Sequence, residues 1–416
     1  MNNQEYAKDL ANKARLASRD VASLTTQQKN NILAMIADTL IAQTDIIVSE
    51  NQKDLNIAIE NNLSEALVDR LRLTPDRIAD MAQGVRDVIA LPDPCGQILD
   101  GSTLENGLRL QKVSTPIGVV FMIYESRPNV TIDAGVLCFK AGNACILRCG
   151  KEAAASTQIL GKVLSDALQK AGVNPDMIQV VNIADRDVVD ALLVQDSLID
   201  VVIPRGGHSL IKTVVAKSTI PVIKHYLGLC HTYIDGDADL QMAHNIAINA
   251  KVQRPGVCNA METLLIDKSI AKTILPNLVA DMRQKNVELC GCDKTCNIVD
   301  MDIATDEDWA TEYLALKLSI KIVDGVQDAI EHINKYGSGH SEAIVTNNIN
   351  VARLFQDRID AATVYVNAST RFTDGAMFGL GAEIGISTDK LHARGPMGLA
   401  ELTTYKFLVT GEGHIR

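Results

Sequence analysis

The sequence predicts an α/β fold built around a parallel sheet, and three observations carry that expectation. First, "NACILRC", "MIQVVNI" and "LIDVVIP" are short apolar runs, and "GKEAAASTQILGKVLSDALQKAG" and "DRDVVDALLVQ" between them have helical length and spacing. Second, the turn "PRGGHS" lies just past the third run, where open α/β sheets bind their ligands. Third, the chain has 416 residues, 47% of them hydrophobic, which exceeds one typical domain and predicts two or three.

Taken in order, the first ninety residues read as helices. "TTQQKNNILAMIADTLIAQ" offers Thr25 or Thr26 as a cap and repeats Leu33, Ile36 and Leu40 on one face. "LRLQKVSTPIGVVFMIYESRP" switches to β-like runs broken by Pro116 and Gly118, as in a strand pair or an arm. The alternating middle follows, with its first helix ending at Gly172. "DGDADLQMAHNIAINAKVQ" then predicts a helix and "METLLID" a strand, so "QRPGVCNA" with Cys258 falls at the junction. A second set of helices and strands runs to about residue 370, and "GPMGLAELTTYKFLVTGEG" predicts an extended strand with glycine stops.

Composition excludes several classes. A formal charge of −11 opposes a general nucleic-acid surface, though basic residues can still converge on a small anion. The first twenty residues lack the apolar core of a signal peptide, and no uncharged apolar run reaches the roughly 18 residues of a membrane span. Nine scattered cysteines match no secreted disulfide framework. In "CGCDKTC", Cys290, Cys292 and Cys296 lack both C-x-x-C spacing and a nearby fourth ligand, so no metal is expected. These features predict a cytoplasmic protein with reduced thiols.

Several segments resemble the aldehyde dehydrogenase superfamily over nearly the whole chain. They are "GNACILRCGKEA", "VVIPRGG" and "GVCNAMETLL". More narrowly, "ESRPNVTIDAGVLCFKAGNA", "PVIKHYLGLCH" and "VQDAIEHINKYGSGHSEAI" resemble the branch that reduces glutamyl phosphate. The resemblance implies a Rossmann-type NADP-binding domain (1–105 with 125–232) facing a catalytic α/β domain (233–375) across a cleft. It implies a β oligomerisation arm (106–124 with 395–416), hence a homo-oligomer. The implied reaction is NADPH-dependent reduction of L-glutamyl 5-phosphate to the 5-semialdehyde with release of phosphate, in proline biosynthesis. The alternatives are a hydrolytic or a CoA-acylating member of the superfamily. No kinase is fused to the chain, so transient contact with the upstream glutamate kinase is a further expectation.

The resemblance also assigns residues. Cys258 is the expected nucleophile, since a thiolate turns an acyl phosphate into a thioester and divides one hard step into two. Its N–H and a side-chain donor would hold the oxyanion; the family's asparagine does not align, a gapless count landing on Glu125, and Asn129 is the candidate. Hydrolytic relatives carry Glu-Leu-Gly-Gly, whose glutamate activates water; here "HYLG" puts His225 in its place. His225 is read either as a phosphate-holding cation, with an ordinary pKa of about 6.5, or as a packing histidine. Arg148 and Lys151 stand where NAD-preferring relatives have a glutamate, and two cations there favour the 2′-phosphate of NADP. Gly206 and Gly207 would let a helix N-terminus approach the pyrophosphate, and Glu312 would grip the nicotinamide ribose. Arg127 suits bidentate capture of a substrate anion, and His340 is a further substrate-contact candidate beside a purely structural role.

Overall fold

The computed structural model describes residues 2–183, 185–224 and 226–416, the Ala66 side chain excepted. The chain forms two compact units: Met1–Lys224 with Gly379–Gly385 and Met397–Arg416, and His225–Phe378 with Ile386–Pro396.

The first unit begins with five helices, Asn3–Ser23, Thr26–Ala42, Thr44–Glu60, Glu65–Leu71 and Pro75–Ala90. The second starts where the sequence predicts: the Thr25 hydroxyl accepts the Gln28 N–H and the Gln28 side chain returns to the Thr25 N–H, which satisfies two donors that a bare helix end leaves unpaired. A four-stranded parallel sheet follows, ordered Ile178–Val180, Ala144–Cys149, Val119–Tyr124, Val201–Arg205. Every residue of Val119–Tyr124 is buried, because helices cover both faces of a parallel sheet. Val119, Phe121 and Ile123 pack with Ala7, Ala11 and Ala14 of the first helix and with Val188 and Leu192.

A separate antiparallel sheet joins Ile98–Thr103, Arg109–Pro116 and Thr403–Thr410, the last two in register from Arg109 opposite Thr410 to Pro116 opposite Thr403. The sequence assigned 106–124 to this arm. The structure instead gives the arm Ile98–Thr103 and places Val119–Tyr124 in the core sheet; a uniformly apolar run belongs under helices on both sides, not in an exposed ribbon.

The second unit holds a seven-stranded sheet whose paired strands are all parallel, in the order Asp302–Ile303, Glu288–Gly291, Lys317–Val323, Met261–Asp267, Cys230–Ile234, Ser341–Val345, Thr363–Val366. Helices Leu240–Val252 and Ala271–Gln284 cover it through Ala243, Ala247, Ile274 and Leu278, which meet Leu264, Ile266 and Ile320. Glycine marks the ends of some of these strands, Gly236 after Cys230–Ile234 and Gly325 after Lys317–Val323.

Candidate active site

Cys258 lies in the loop between the end of the Leu240–Val252 helix and the start of the Met261–Asp267 strand. The loop is anchored from several sides. Lys251, the last full turn of the helix, is completely buried with its ammonium 2.5 Å from Glu262 Oε2, and Glu262 Oε1 accepts the Leu314 N–H at 3.1 Å. Burial pushes the Glu262 carboxyl up to about 7, a rise that Lys251 limits. Next to the cysteine, Asn259 donates to the Thr373 carbonyl at 2.8 Å while its own carbonyl accepts the Thr370 hydroxyl at 2.7 Å. From the other side Cys230 donates its thiol to the Cys258 carbonyl at 3.2 Å. Gly228 packs so closely that a Cβ there would sit 2.1 Å from the Cys258 carbonyl oxygen, so only a residue without a side chain fits.

Exposure separates this thiol from the one that backs its loop. Cys258 is half-buried, whereas Cys230 is buried, as is Cys149 of the first unit. Burial raises the Cys230 thiol well above its ordinary range and the Cys149 thiol to about 11, which keeps both protonated and inert. No disulfide joins the nine cysteines, and no cluster of metal ligands exists among the described residues.

The remaining expectations divide. Glu312 is joined to this loop: its Oε1 accepts the Gly228 N–H at 2.9 Å, so it holds the main chain that backs Cys258. His340, expected as a substrate contact, is fully buried; its Nδ1 lies 2.8 Å from the Ser341 hydroxyl and 3.8 Å from the Cys230 thiol, so it supports the site from within the core. His225 lies outside the described residues. Arg127 and Asn129 belong to the first unit, at the start of the Val130–Lys140 helix, where the Asn129 amide donates to the half-buried Asp133 at 2.9 Å.

In the first unit a cavity of about 320 Å³ opens at the carboxyl ends of the parallel strands. It is lined by Glu125 after the central strand, by Arg148 near the end of the next and Lys151 just beyond it, and by Ser209 and Lys217 of the helix beyond the glycine turn. This is the switch point where the strand order reverses, and of the predicted cofactor residues Arg148 and Lys151 line it, whereas Gly206, Gly207 and Glu312 do not. Gly207 caps the His208–Lys217 helix, and its N–H donates to Glu125 Oε2 at 2.9 Å. The expected anion-binding end of that helix thus carries a protein carboxylate. A Cβ on Gly206 would lie 2.4 Å from the same oxygen. The cations Arg148, Lys151 and Arg186 on the cavity lining suit the charge of a dinucleotide phosphate, while Lys217 is paired with Asp190 and Glu125 holds the Gly207 N–H.

Three functional candidates escaped the sequence. Glu125 appeared there merely as the landing point of a count. Arg254 was visible four residues before the cysteine but had no assigned partner. Arg371 reaches Gln253 through its Nε at 2.8 Å, a long-range pairing that no local pattern announces.

Residues 1–298 and 306–406 match the profile of the aldehyde dehydrogenase family. A gamma-glutamyl phosphate reductase from Nautilia profundicola is 53% identical over 409 residues, covering 98% of this chain and 100% of the relative. The crystal structure of gamma-glutamyl phosphate reductase from Thermotoga maritima superposes with a TM-score of 0.97 at 46% identity, over 99% of each chain. A glyceraldehyde-3-phosphate dehydrogenase from Methanocaldococcus jannaschii, solved with NADP, shares the fold at 16% identity and a TM-score of 0.68, over 98% of this chain and 95% of its own. The chain belongs to the aldehyde dehydrogenase family.

Proposed function

We propose that this chain reduces L-glutamyl 5-phosphate to L-glutamate 5-semialdehyde with NADPH, releasing phosphate, through a thioester on Cys258. The substrate follows from the near-complete likeness to gamma-glutamyl phosphate reductases, and with it a place in proline biosynthesis. The observation that carries the mechanism is the held loop: one half-buried thiol is fixed by Gly228, Asn259 and Cys230, while the Cys230 thiol against it is buried and held protonated.

In the forward direction the Cys258 thiolate attacks the acyl carbon, and the C–O bond to phosphate breaks with its electron pair leaving on the phosphate. Arg148 and Lys151 on the strand-end cavity would hold NADPH, which when bound would supply the hydride that reduces the thioester to the aldehyde level. Glu262 and Glu312 both hold main-chain N–H groups beside this loop, which supports a thioester protected from a water-activating carboxylate. Arg148 and Lys151 support a preference for the 2′-phosphate of NADP.

The arm supports a homo-oligomer. Thr403–Thr410 is an edge strand, and Tyr405, Phe407 and Val409 on it are each at least half exposed, an open ladder with apolar side chains that a second copy would cover. An unstable acyl phosphate gives reason for brief contact with the kinase that makes it. Nine cysteines without a disulfide support a reducing, cytoplasmic setting, and no single helix among the described residues is long and apolar enough to cross a membrane.

The deciding experiment runs the reaction backwards, following NADP⁺ reduction by glutamate 5-semialdehyde with and without phosphate. NADPH formation should require phosphate and vanish in Cys258→Ala. Activity without phosphate would mean that water resolves the acyl enzyme, and activity in the variant would remove Cys258 from the chemistry.

A further inference from the structure

Two guanidinium groups are attached to the loop that carries Cys258 and have no part in the thioester steps above. Arg371 is half-buried in the Thr370–Phe372 turn, which is strapped to the residue after the cysteine: the Thr370 hydroxyl donates to the Asn259 carbonyl at 2.7 Å, and the Asn259 amide reaches the Arg371 carbonyl at 3.4 Å and the Thr373 carbonyl at 2.8 Å. The side chain then turns to the start of the same loop, donating from Nε to Gln253 Oε1 at 2.8 Å, next to Arg254. Both ends of the cysteine loop thus carry an arginine.

Neither guanidinium forms an ion pair with a carboxylate among the described residues. Asp374, the nearest acidic neighbour in sequence, has its Oδ1 engaged with the Ala376 and Met377 N–H groups. Arg371 responds to this setting: burial and then the Arg254 charge lower its pKa from the ordinary value, and the Cys258 and Asp374 charges oppose them. Two like charges on one loop with no carboxylate in direct contact, one of them partly withdrawn from water, are costly unless an anion completes them.

We propose that Arg371 and Arg254 form the anion subsite that holds the phosphoryl group of the acyl phosphate and receives the departing phosphate. The proposal rests on the thioester reading of Cys258. Chemistry selects the phosphate over the α-carboxylate. When Cys258 Sγ bonds to the acyl carbon, the phosphoryl group is separated from that carbon by a single bridging oxygen, whereas the carboxylate is four carbon–carbon bonds away. As the C–O bond breaks, the electron pair and the growing negative charge go to the phosphate, which takes any proton it needs from solvent. Planar guanidiniums match two of its oxygens at once, which lysine cannot copy. In reverse, the same pair holds inorganic phosphate as its oxygen attacks the thioester and the thiolate leaves.

The test is the reverse reaction with inorganic phosphate as the varied substrate, on Arg371→Gln, Arg371→Lys and Arg254→Gln of the full-length protein. Removing a charge-assisted contact should raise the KM for phosphate about tenfold or more in Arg371→Gln. Arg371→Lys should fall between that variant and the wild type, and the KM values for semialdehyde and NADP⁺ should stay within about twofold. Arg254 is exposed, so Arg254→Gln keeps the test valid even if the Arg371 variants fold poorly. A rise in the KM for semialdehyde with phosphate unchanged would assign the pair to the α-carboxylate and overturn the proposal. An unchanged KM for both anions in all three variants would overturn it too. The Cys258→Ala experiment fails or succeeds on total activity, so a wrong nucleophile and a wrong anion site give different results.

Discussion

Glu125 shows how much one side chain can decide. Its carboxylate accepts the Gly207 N–H at the start of the His208–Lys217 helix, where the backbone dipole favours negative charge. A dinucleotide phosphate would want the same N–H, so protein and cofactor compete for one donor. Glu125→Gln keeps an oxygen that can accept the hydrogen bond and removes the charge. NADPH should therefore bind about fivefold tighter to the variant, since a charge at a helix N-terminus is worth about 1 kcal/mol. A fluorescence titration of both proteins measures this, with NADH alongside to show whether the cations Arg148 and Lys151 act on the 2′-phosphate. Identical affinities for NADPH in wild type and variant would mean that Glu125 leaves the helix end without cost.

Among the elements, the C-terminal strand carries the sharpest expectation. Thr403–Thr410 pairs with Arg109–Pro116 on one side and lies at the edge of its sheet on the other. Phe407 is 55% exposed there, a large apolar group that a monomer would leave in water. If the proposed homo-oligomer forms through this strand, Phe407→Asp should leave particles of about the chain mass, 45.0 kDa, in sedimentation velocity. A wild type that already sediments at that mass would remove the interface. The strand itself was legible, because "TTYKFLVT" lies between glycine stops and is rich in β-branched and aromatic residues. The opposite edge strand of that sheet, Ile98–Thr103, was not, since "ILDGST" carries a glycine and an aspartate and has no buried face to impose alternation. The site followed the same division. Cys258 and the lining pair Arg148 and Lys151 stand in continuous motifs that a reader of the sequence can find. Arg371 and Gly228 matter through contacts made in space, with Gln253 and Cys258, and His340 looks the same in sequence whether it is buried or open.

The molecule as a whole joins two parallel-sheet units, and its stability depends on charges that folding forces into them. Asp133 in the Val130–Lys140 helix is the clearest case: burial raises its carboxyl from 3.8 to about 6, against the opposing hydrogen bond from Asn129 and the Arg205 charge. The sign follows from the proton count. Between pH 4 and 6 the folded protein holds this proton more tightly than the unfolded chain does, so the folded form is favoured at low pH and loses ground as pH rises through 6. At about 1.4 kcal/mol per unit, the loss by pH 8 comes to about 3 kcal/mol. Asp133→Asn accepts the Asn129 hydrogen bond without ionising. Compared with wild type, the variant should be near-neutral at pH 4 and more stable by about 3 kcal/mol at pH 8. Urea unfolding at the two pH values isolates this group, because the other carboxylates are common to both proteins and cancel in the difference. A variant equally displaced at both values would show that Asp133 is already ionised at no cost in the folded unit, and that the polar groups around Asn129 solvate it better than its burial suggests.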